Sequence, residues 1–200
     1  INLIPRYYDV TKGSVKVDGV DVRDMTQKEL RDKLGYVPQK GVLFSGTIDS
    51  NIRYGKPEIT DAQVKEAAEV AQATEFIDTK PEKYKSPVSQ GGTNVSGGQK
   101  QRLSIARAIA KDPEIFIFDD SFSALDFKTD SQLRKALKEY TKDATTVIVA
   151  QRISTILGAD QIIVLDDGHM AGIGTHKELM ANCEVYQQIA RSQLSEEELA

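Results

Sequence analysis

Three short, continuous apolar runs constrain the fold most strongly. They are "IFIF" at 115–118, "TTVIV" at 145–149 and "IIVL" at 162–165, and helix-like segments separate them along the chain. Runs of this length suit the strands of a parallel sheet that is buried on both faces. From about residue 112 the order is strand, helix, strand, short helix, strand, which predicts an α/β architecture.

Capping boxes mark four helix starts, because a Ser or Thr is followed three residues later by Glu or Gln. The pairs are Thr26 with Glu29, Thr60 with Gln63, Ser96 with Gln99, and Thr175 with Glu178. We therefore predict that helices begin at these four positions. Asp167-Gly168 stands between two strand-like pieces and predicts a β-hairpin.

The bulk composition excludes several classes of protein. The chain has 200 residues, 40% of them hydrophobic, which is enough for one substantial domain. Its net charge of −4 gives no support for a nucleic-acid partner. The single cysteine, Cys183, excludes an internal disulfide. No apolar run approaches the roughly 18 residues that span a bilayer, so we expect the chain as given to be soluble.

Two acidic residues follow the first apolar run directly. Asp119 and Asp120 lie at the carboxyl end of a predicted strand, where α/β proteins bind ligands. Acids in such a place are often solvated turn residues. They are also typical Mg²⁺ ligands in phosphate-transfer proteins, because carboxylate oxygen is a hard ligand. The two residues alone do not decide between these interpretations.

A serine and two glycines precede a strong helical pattern in the segment "NVSGGQKQRLSIARAIA" at 94–110. A helix that opens this way directs backbone N–H groups and its positive dipole end at an anion. The glycine pair by itself is equally typical of a flexible cap. The segment "SALD" at 123–126 follows the acidic pair and completes an ordered set of three elements.

In this order and spacing the three elements resemble the nucleotide-binding domain of an ATP-binding cassette (ABC) transporter. The resemblance makes Ser96-Gly97-Gly98-Gln99 the signature motif, 115–119 the Walker B strand and 123–126 the D-loop. It also covers "GYVPQKGVLFSGTIDSNIRYG" at 35–55, which is similar to the glutamine loop of exporters. "VIVAQRISTI" at 147–156 is similar to the switch region.

The resemblance implies a role for each site residue. Asp119 would bind Mg²⁺, and Gln39 would reach both Mg²⁺ and the attacking water. Asp120 stands where the family has its catalytic base. In this family two domains face each other head to tail, so the signature residues Ser96, Gly97, Gly98 and Gln99, together with Asp126 of the D-loop, would contact the ATP that the partner domain holds.

The fold implied by the resemblance is a P-loop NTPase (RecA-like) core, in which helices flank a mostly parallel sheet. We expect residues 1–46 and 112–200 to form this core and residues 47–111 to form an inserted helical subdomain with the signature motif. The implied cofactors are ATP and Mg²⁺. The implied partners are a second nucleotide-binding domain and the transmembrane domains of an exporter of the multidrug or lipid type, at the cytoplasmic face of the cell membrane.

One element of the family pattern is missing from the sequence. The phosphate-binding motif G-x-x-x-x-G-K-[ST] occurs nowhere in the 200 residues. The first ten residues resemble the helix that follows this motif, so we expect a truncated domain that lacks the P-loop and its preceding strands and binds ATP weakly. Loss of a strand from a parallel sheet exposes pairing edges, and we therefore expect poor stability or association through such an edge.

Two further positions depart from the family pattern. Asp120 replaces the usual glutamate, and its side chain is shorter by about 1.5 Å. Gln151 replaces the switch histidine, and glutamine carries no proton that titrates near neutral pH. The two histidines do not compensate, since His169 lies in the predicted hairpin and His176 is expected at the surface of a helix start.

This pattern predicts the degenerate subunit of a heterodimer. Asp120 and Gln151 would both serve the ATP that this chain holds, whereas the signature and D-loop would serve the partner's ATP. An alternative is a nucleotide-sensing cassette that binds ATP without hydrolysing it. A third possibility, a DNA-repair or chromosome-structure ATPase, is disfavoured because residues 40–95 contain no sustained heptads for the long coiled coil of those proteins.

Overall fold

The computed structural model describes residues 1–195, and residues 196–200, the end of the predicted core segment, lie outside the described part. The chain forms two compact units, residues 1–149 and residues 150–200. The predicted division into a core and an inserted helical subdomain stays a prediction. Within the described residues, no helix is both long and apolar enough to cross a membrane.

The first unit contains seven strands and six α-helices among its described residues. Its strands are β1 (Lys16–Val17), β2 (Val20–Asp21), β3 (Leu34–Val37), β4 (Gly46–Thr47), β5 (Pro87–Val88), β6 (Ile115–Asp119) and β7 (Thr145–Val149). Its α-helices are α1 (Gln27–Asp32), α2 (Ile48–Ile52), α3 (Asp61–Val70), α4 (Thr74–Asp78), α5 (Gly97–Ala110) and α6 (Phe127–Tyr140). Two short 3₁₀ turns lie at Lys83–Lys85 and Gln90–Gly92.

A parallel sheet of three strands, in the order β3-β6-β7, carries the predicted site. The central strand β6 is covered on both faces. Phe116 and Phe118 belong to a large apolar cluster with Leu103 and Ile109 of α5. Ile117 points the other way, into a second cluster with Leu30 of α1. The predicted buried parallel strand is therefore confirmed for β6, and so is the α/β fold in which helices flank the sheet.

The outer strand β7 differs from the prediction. It is parallel to β6 as expected, but Val147 and Ile148 are only half-buried and Val149 is 39% exposed. The reason is its position, because β7 is the last strand of the sheet within residues 1–195. A continuous apolar run therefore indicated a strand correctly and its burial incorrectly.

The second unit contains a hairpin and three helices among its described residues. Its elements are α7 (Ile153–Ile156), β8 (Ile162–Asp166), β9 (His169–Gly174), α8 (His176–Asn182) and α9 (Glu184–Gln193). The hairpin turn is confirmed, since Asp167 and Gly168 have φ of +49° and +79°, the left-handed values that a tight two-residue turn requires. Ile162 and Val164 pack on Tyr186 and Ala190 of α9.

The prediction that β8 belongs to a parallel sheet buried on both faces is wrong. Within the described residues β8 pairs only with β9, and the pairing is antiparallel. Its burial alternates, since Ile162 and Val164 are buried while Ile163 and Leu165 are 58% and 68% exposed. One face of the hairpin packs on the helices of this unit, and the other face keeps its apolar side chains exposed.

All four predicted capping boxes are present. In α1, α3, α5 and α8 the Ser or Thr side chain accepts a hydrogen bond from the backbone N–H three residues on, and the Glu or Gln side chain accepts one from the cap residue's N–H. Each box satisfies two backbone donors that the helix itself leaves without a partner. These helix starts depend on contacts between residues three apart, which is why the local pattern predicts them well.

Thr146→Lys is expected to reduce self-association of the chain. Thr146 is exposed near the middle of β7, which is an edge strand within the described residues. Unpaired backbone groups on such an edge pair with other chains, and a lysine there opposes the pairing. Sedimentation velocity should show a dimer fraction that increases with protein concentration for the unmodified chain. The variant should remain largely monomeric.

A matched control adds the same charge outside the sheet. Thr11→Lys, at an exposed position in a loop of the same unit, should leave the association unchanged. If the unmodified chain stays monomeric at every concentration, the edge of β7 does not drive association.

Candidate functional site

The two predicted acids lie at the carboxyl end of β6. Asp119 is the last residue of the strand and is half-buried. Asp120 follows at 9% exposure, and its N–H donates to the carbonyl of Val149 at the end of β7, at 2.9 Å. The backbone of Asp120 is left-handed, with φ of +44°. Aspartate tolerates this conformation better than most residues with a side chain, because its short carboxylate can bond locally.

Tyr36 of β3 contacts the first of these acids, and the sequence reasoning missed it. Its hydroxyl donates to Asp119 Oδ2 at 3.0 Å and also lies 3.2 Å from Asn2 Oδ1. Burial and the Asp119 carboxylate raise the pKa of Tyr36 to about 12, so the hydroxyl stays protonated and remains a donor at neutral pH. The available signal was a hydroxyl within an apolar strand, near the strand's carboxyl end.

Gln39 lies just beyond β3 and reaches the second acid. Its side-chain Nε2 donates to Asp120 Oδ2 at 3.1 Å, although 81 residues separate them in the chain. The backbone next to Gln39 is also tied to this edge, because the hydroxyl of the fully buried Ser121 donates to the carbonyl of Val37 at 2.9 Å. The sheet thus brings Gln39, Asp119 and Asp120 together at the carboxyl ends of its strands, and we call this group of residues the acidic edge.

The signature segment begins α5 as predicted. Ser96 is the N-cap, its hydroxyl accepts from the N–H of Gln99 at 3.2 Å, and Gln99 Oε1 accepts from the N–H of Ser96 at 3.2 Å. A Cβ built at Gly97 would meet nothing within 4 Å, so the helix start is open there. A Cβ at Gly98 would lie 3.4 Å from the carbonyl of Ala124, so this glycine packs against the D-loop segment.

The D-loop is held by hydrogen bonds within the same unit. Ser123 Oγ donates to the carbonyl of Asp120 at 3.0 Å, which links the D-loop to the acidic edge. Asp126 is the N-cap of α6, and its carboxylate accepts from the N–H of Thr129 at 3.0 Å and from the hydroxyl of Thr129 at 2.7 Å. These two bonds lower the pKa of Asp126. Its observed role is helix capping, and its contact with a nucleotide stays a prediction.

Gln151 belongs to the second unit. It is exposed, and its carbonyl accepts a hydrogen bond from Gln193 Nε2 at 2.9 Å. Gln193 Oε1 in turn accepts from the N–H of Ile153 at 2.8 Å, so α9 fixes the backbone that follows Gln151. The role of Gln151 as the switch residue stays a prediction.

The two histidines are placed differently from each other. His169 is exposed at the start of β9. His176 lies at the start of α8 as predicted, but it is half-buried there, and its Nδ1 lies 2.8 Å from the hydroxyl of Tyr186, which is 1% exposed. The contact arises because α9 packs beside the start of α8.

Two cavities among the described residues lie away from Gln39, Asp119 and Asp120. One cavity of about 280 Å³ is lined by residues of α2, α3 and their surroundings, including Thr47, Arg53 and Lys65. It contains none of the predicted site residues. Within residues 1–195 there is also no group of three or more His, Cys, Asp or Glu side chains arranged to hold a metal.

Comparison with known proteins identifies the family of the chain. The family model described as "ABC transporter" matches residues 1–123. An uncharacterized ABC transporter ATP-binding protein of Mycobacterium tuberculosis is 47% identical over 196 residues, which are 96% of this chain and 33% of that protein. A putative multidrug export ATP-binding/permease protein of Staphylococcus aureus is 47% identical over 189 residues, which are 94% of this chain and 33% of that protein.

A solved structure has the same fold. The structure of a bacterial Atm1-family ABC exporter with ATP bound superposes with a TM-score of 0.93 at 39% identity, over 98% of this chain and 34% of that one. The chain thus spans about one third of the length of the relatives that it matches. The resemblance inferred from the signature, Walker B and D-loop segments is confirmed: the chain belongs to the ABC transporter family and is a nucleotide-binding domain of the exporter type.

Proposed function

We propose that this chain binds ATP as one half of a head-to-tail pair of nucleotide-binding domains and couples the pair to export across a membrane. Its partners would be a second nucleotide-binding domain and transmembrane domains, and it would lie at the cytoplasmic face of the membrane. Support comes from the 47% identity to a putative multidrug export protein and from the 39% identity to an ATP-bound exporter structure.

The observation that carries the proposal is the meeting of Gln39, Asp119 and Asp120 at one edge of the sheet. Gln39 and Asp120 are hydrogen-bonded at 3.1 Å across 81 residues of sequence. Carboxyl ends of parallel strands are the place where α/β proteins bind their ligands. The arrangement suits phosphate chemistry because it offers oxygen ligands for a cation and an amide that can orient water.

The residues at this edge fit Mg²⁺ held together with a nucleotide. Mg²⁺ usually binds through one or two carboxylates plus substrate phosphates and keeps several waters, so it needs no cage of protein ligands. Asp119 would supply the carboxylate, and Tyr36 would orient it by its hydrogen bond at 3.0 Å. The ion would neutralise charge on the phosphates. The oxygen of the Gln39 side chain would help to position the attacking water.

Slow hydrolysis is expected at the ATP that this chain binds. We assign Asp120 the place of the catalytic base, and its carboxylate is shorter than that of glutamate by about 1.5 Å of reach. A misplacement of about 1 Å costs on the order of a hundredfold in rate. The assignment of Gln151 to the switch position rests on the sequence resemblance alone. Its amide does not accept a proton near neutral pH, whereas an imidazole does.

The signature helix would act on the ATP of the partner domain. Its N-terminus has the exposed cap Ser96 and the open Gly97, so a phosphate can approach the backbone N–H groups closely. The degenerate positions and the intact signature together favour a heterodimer, in which this chain completes a competent site on its partner. The alternative is a regulatory cassette that binds ATP without turnover, and Asp120 and Gln151 are the residues that favour it.

The test measures turnover at the partner's site. The partner is the nucleotide-binding domain of the Staphylococcus aureus relative, in which the residue that aligns with Ser96 is replaced so that turnover depends on the signature of this chain. We expect the mixture to hydrolyse ATP well above either protein alone. Ser96→Leu should lower this turnover by about a hundredfold, the scale of a lost transition-state donor.

Thr175→Leu is the matched control, because Thr175 is the N-cap of α8 in an equivalent capping box. Each substitution removes a cap that contributes about 1 kcal/mol to stability. Only Ser96→Leu should affect the partner's ATP. A stable ATP-dependent complex with no turnover would contradict the heterodimer proposal and support the regulatory cassette.

A further inference from the structure

Gln101 is a buried polar side chain whose partners lie in a distant loop. It sits in the second turn of α5, five residues after the cap Ser96, and is 2% exposed. Its Nε2 donates to the carbonyl of Pro38 at 3.2 Å, and its Oε1 accepts from the N–H of Gly41 at 3.0 Å. A buried amide needs such partners, since an unpaired one costs free energy. Both of these bonds go to the loop on either side of Gln39.

The loop lies directly against α5 at Gly41. A Cβ built on Gly41 would be 2.8 Å from Ser104 Oγ, 3.0 Å from the carbonyl of Lys100 and 3.1 Å from Gln101 Oε1. Two of these neighbours are held in place, because Ser104 Oγ donates to the Lys100 carbonyl at 3.0 Å. Only glycine allows the backbone to approach the helix this closely. The hydrogen bonds of Gln101 therefore act at a contact that leaves no room for a side chain.

The other side of the loop is bound to the acidic edge. Ser121 Oγ donates to the carbonyl of Val37, and Gln39 Nε2 donates to Asp120 Oδ2. Gln39 itself is exposed, so no packing of its own holds its side chain in place. The backbone on either side therefore sets its position. Ser121 holds the carbonyl of Val37, and Gln101 holds Pro38 and Gly41.

We propose that Gln101 is a positioning residue, which holds the loop of residues 38–41 on α5 so that Gln39 reaches Asp120. The signature helix α5 and the loop that carries Gln39 would then move as a rigid unit. The functional part of this inference rests on the proposed function: a shift of α5 at the partner's ATP would displace Gln39 from Asp120 at the other ATP. One buried amide would thus link the two nucleotide sites of the pair.

The test compares Gln101→Met with the unmodified chain by NMR, without nucleotide. Methionine has a similar size and makes neither hydrogen bond. We expect the N–H of Gly41 to exchange with solvent on the order of tenfold faster, the scale of one lost hydrogen bond. The side-chain amide signals of Gln39 should shift toward those of a solvent-exposed glutamine, while the N–H of Ile105 in α5 should keep its protection.

Two further variants separate positioning from a general loss of structure. Gln101→Glu, studied at low pH with its carboxyl protonated, keeps an acceptor for the N–H of Gly41 and a donor for the carbonyl of Pro38, and should restore the protection of Gly41. Ser104→Ala removes a buried hydroxyl from the same helix face and leaves both Gln101 bonds, so Gly41 exchange should stay unchanged. Unchanged Gly41 exchange and Gln39 signals in Gln101→Met, or equal loss of protection at Ile105, would overturn the proposal. Because no ATP is used, the outcome is independent of whether the proposed function is correct.

Discussion

The combined change Asp120→Glu and Gln151→His is expected to raise ATP hydrolysis by about a hundredfold. The experiment uses a polypeptide in which a Walker A segment from a relative precedes Ile1, so that phosphate binding does not limit the rate. Glutamate extends the carboxylate toward the attacking water, and histidine supplies a group that holds or releases a proton near neutral pH. The effect is measured as steady-state ATP hydrolysis with Mg²⁺ and without a partner protein. The unmodified polypeptide, the double variant and each single variant are compared.

The glutamate is expected to cost stability while it raises the rate. Residue 120 has a left-handed backbone with φ of +44°, which aspartate adopts more readily than glutamate. We therefore expect Asp120→Glu to lower the free energy of unfolding by roughly 1 kcal/mol. Urea denaturation of both forms separates this cost from the gain in turnover.

Asp167→Glu is the matched control for this backbone effect. Asp167 has a similar φ of +49°, in the exposed turn between β8 and β9. The control should lose a similar amount of stability and leave hydrolysis unchanged. If the polypeptide with Asp120 and Gln151 already hydrolyses ATP at an ordinary rate, these residues are tolerated variants and a homodimer becomes the better proposal.

Arg107→Met is expected to destabilise the first unit by about 3 kcal/mol. The guanidinium makes three hydrogen bonds, to the carbonyl and side-chain Oδ1 of Asn51 at 2.8 and 2.9 Å and to the carbonyl of Val42 at 2.9 Å. It also lies 5.2 Å from the ring centre of Phe44 and 5.5 Å from that of Tyr54, and these two rings stack on each other.

The size of this effect follows from the buried groups that lose their hydrogen-bond partner when the arginine is replaced. Burial lowers the pKa of Arg107 to about 10, so the group remains charged at neutral pH. Methionine can fill much of the space, but the side chain of Asn51, which is 1% exposed, then loses a charged partner. Asn51 Oδ1 still accepts the N–H of Phe44 at 2.8 Å, and the loss of a hydrogen bond to a charged group costs more than the loss of an ordinary one.

Urea denaturation measures the change. Arg191→Met, on the exposed surface of α9, is the control and should change the free energy of unfolding by less than about 0.5 kcal/mol. A loss below about 1 kcal/mol for Arg107→Met would show that the three hydrogen bonds are replaced by water.

Local patterns in the sequence determined the helix starts and the hairpin turn. The capping boxes at Ser96 and Thr175 join residues three apart, and the left-handed turn at Asp167-Gly168 needs only two residues. The acidic end of β6 was predictable for a similar reason, because Asp119 follows an apolar run directly. No distant part of the chain is needed to form these features.

The tertiary structure decided burial, pairing and the contacts of the site. The apolar runs of β6 and β8 look alike, yet β6 is covered on both faces while β8 leaves Ile163 and Leu165 exposed. A run of apolar residues indicates a preference for burial, but it does not show which element of the fold will cover it.

Tyr36 and Gln101 were missed for the same physical reason. Tyr36 reaches Asp119 only because β3 and β6 pair in one register, and Gln101 reaches Pro38 and Gly41 only because α5 packs on that loop. Contacts of this kind join residues about 60 to 80 positions apart. The sequence by itself determined the local elements and the family, and only the packing of those elements placed a hydroxyl on Asp119 and an amide beside Gln39.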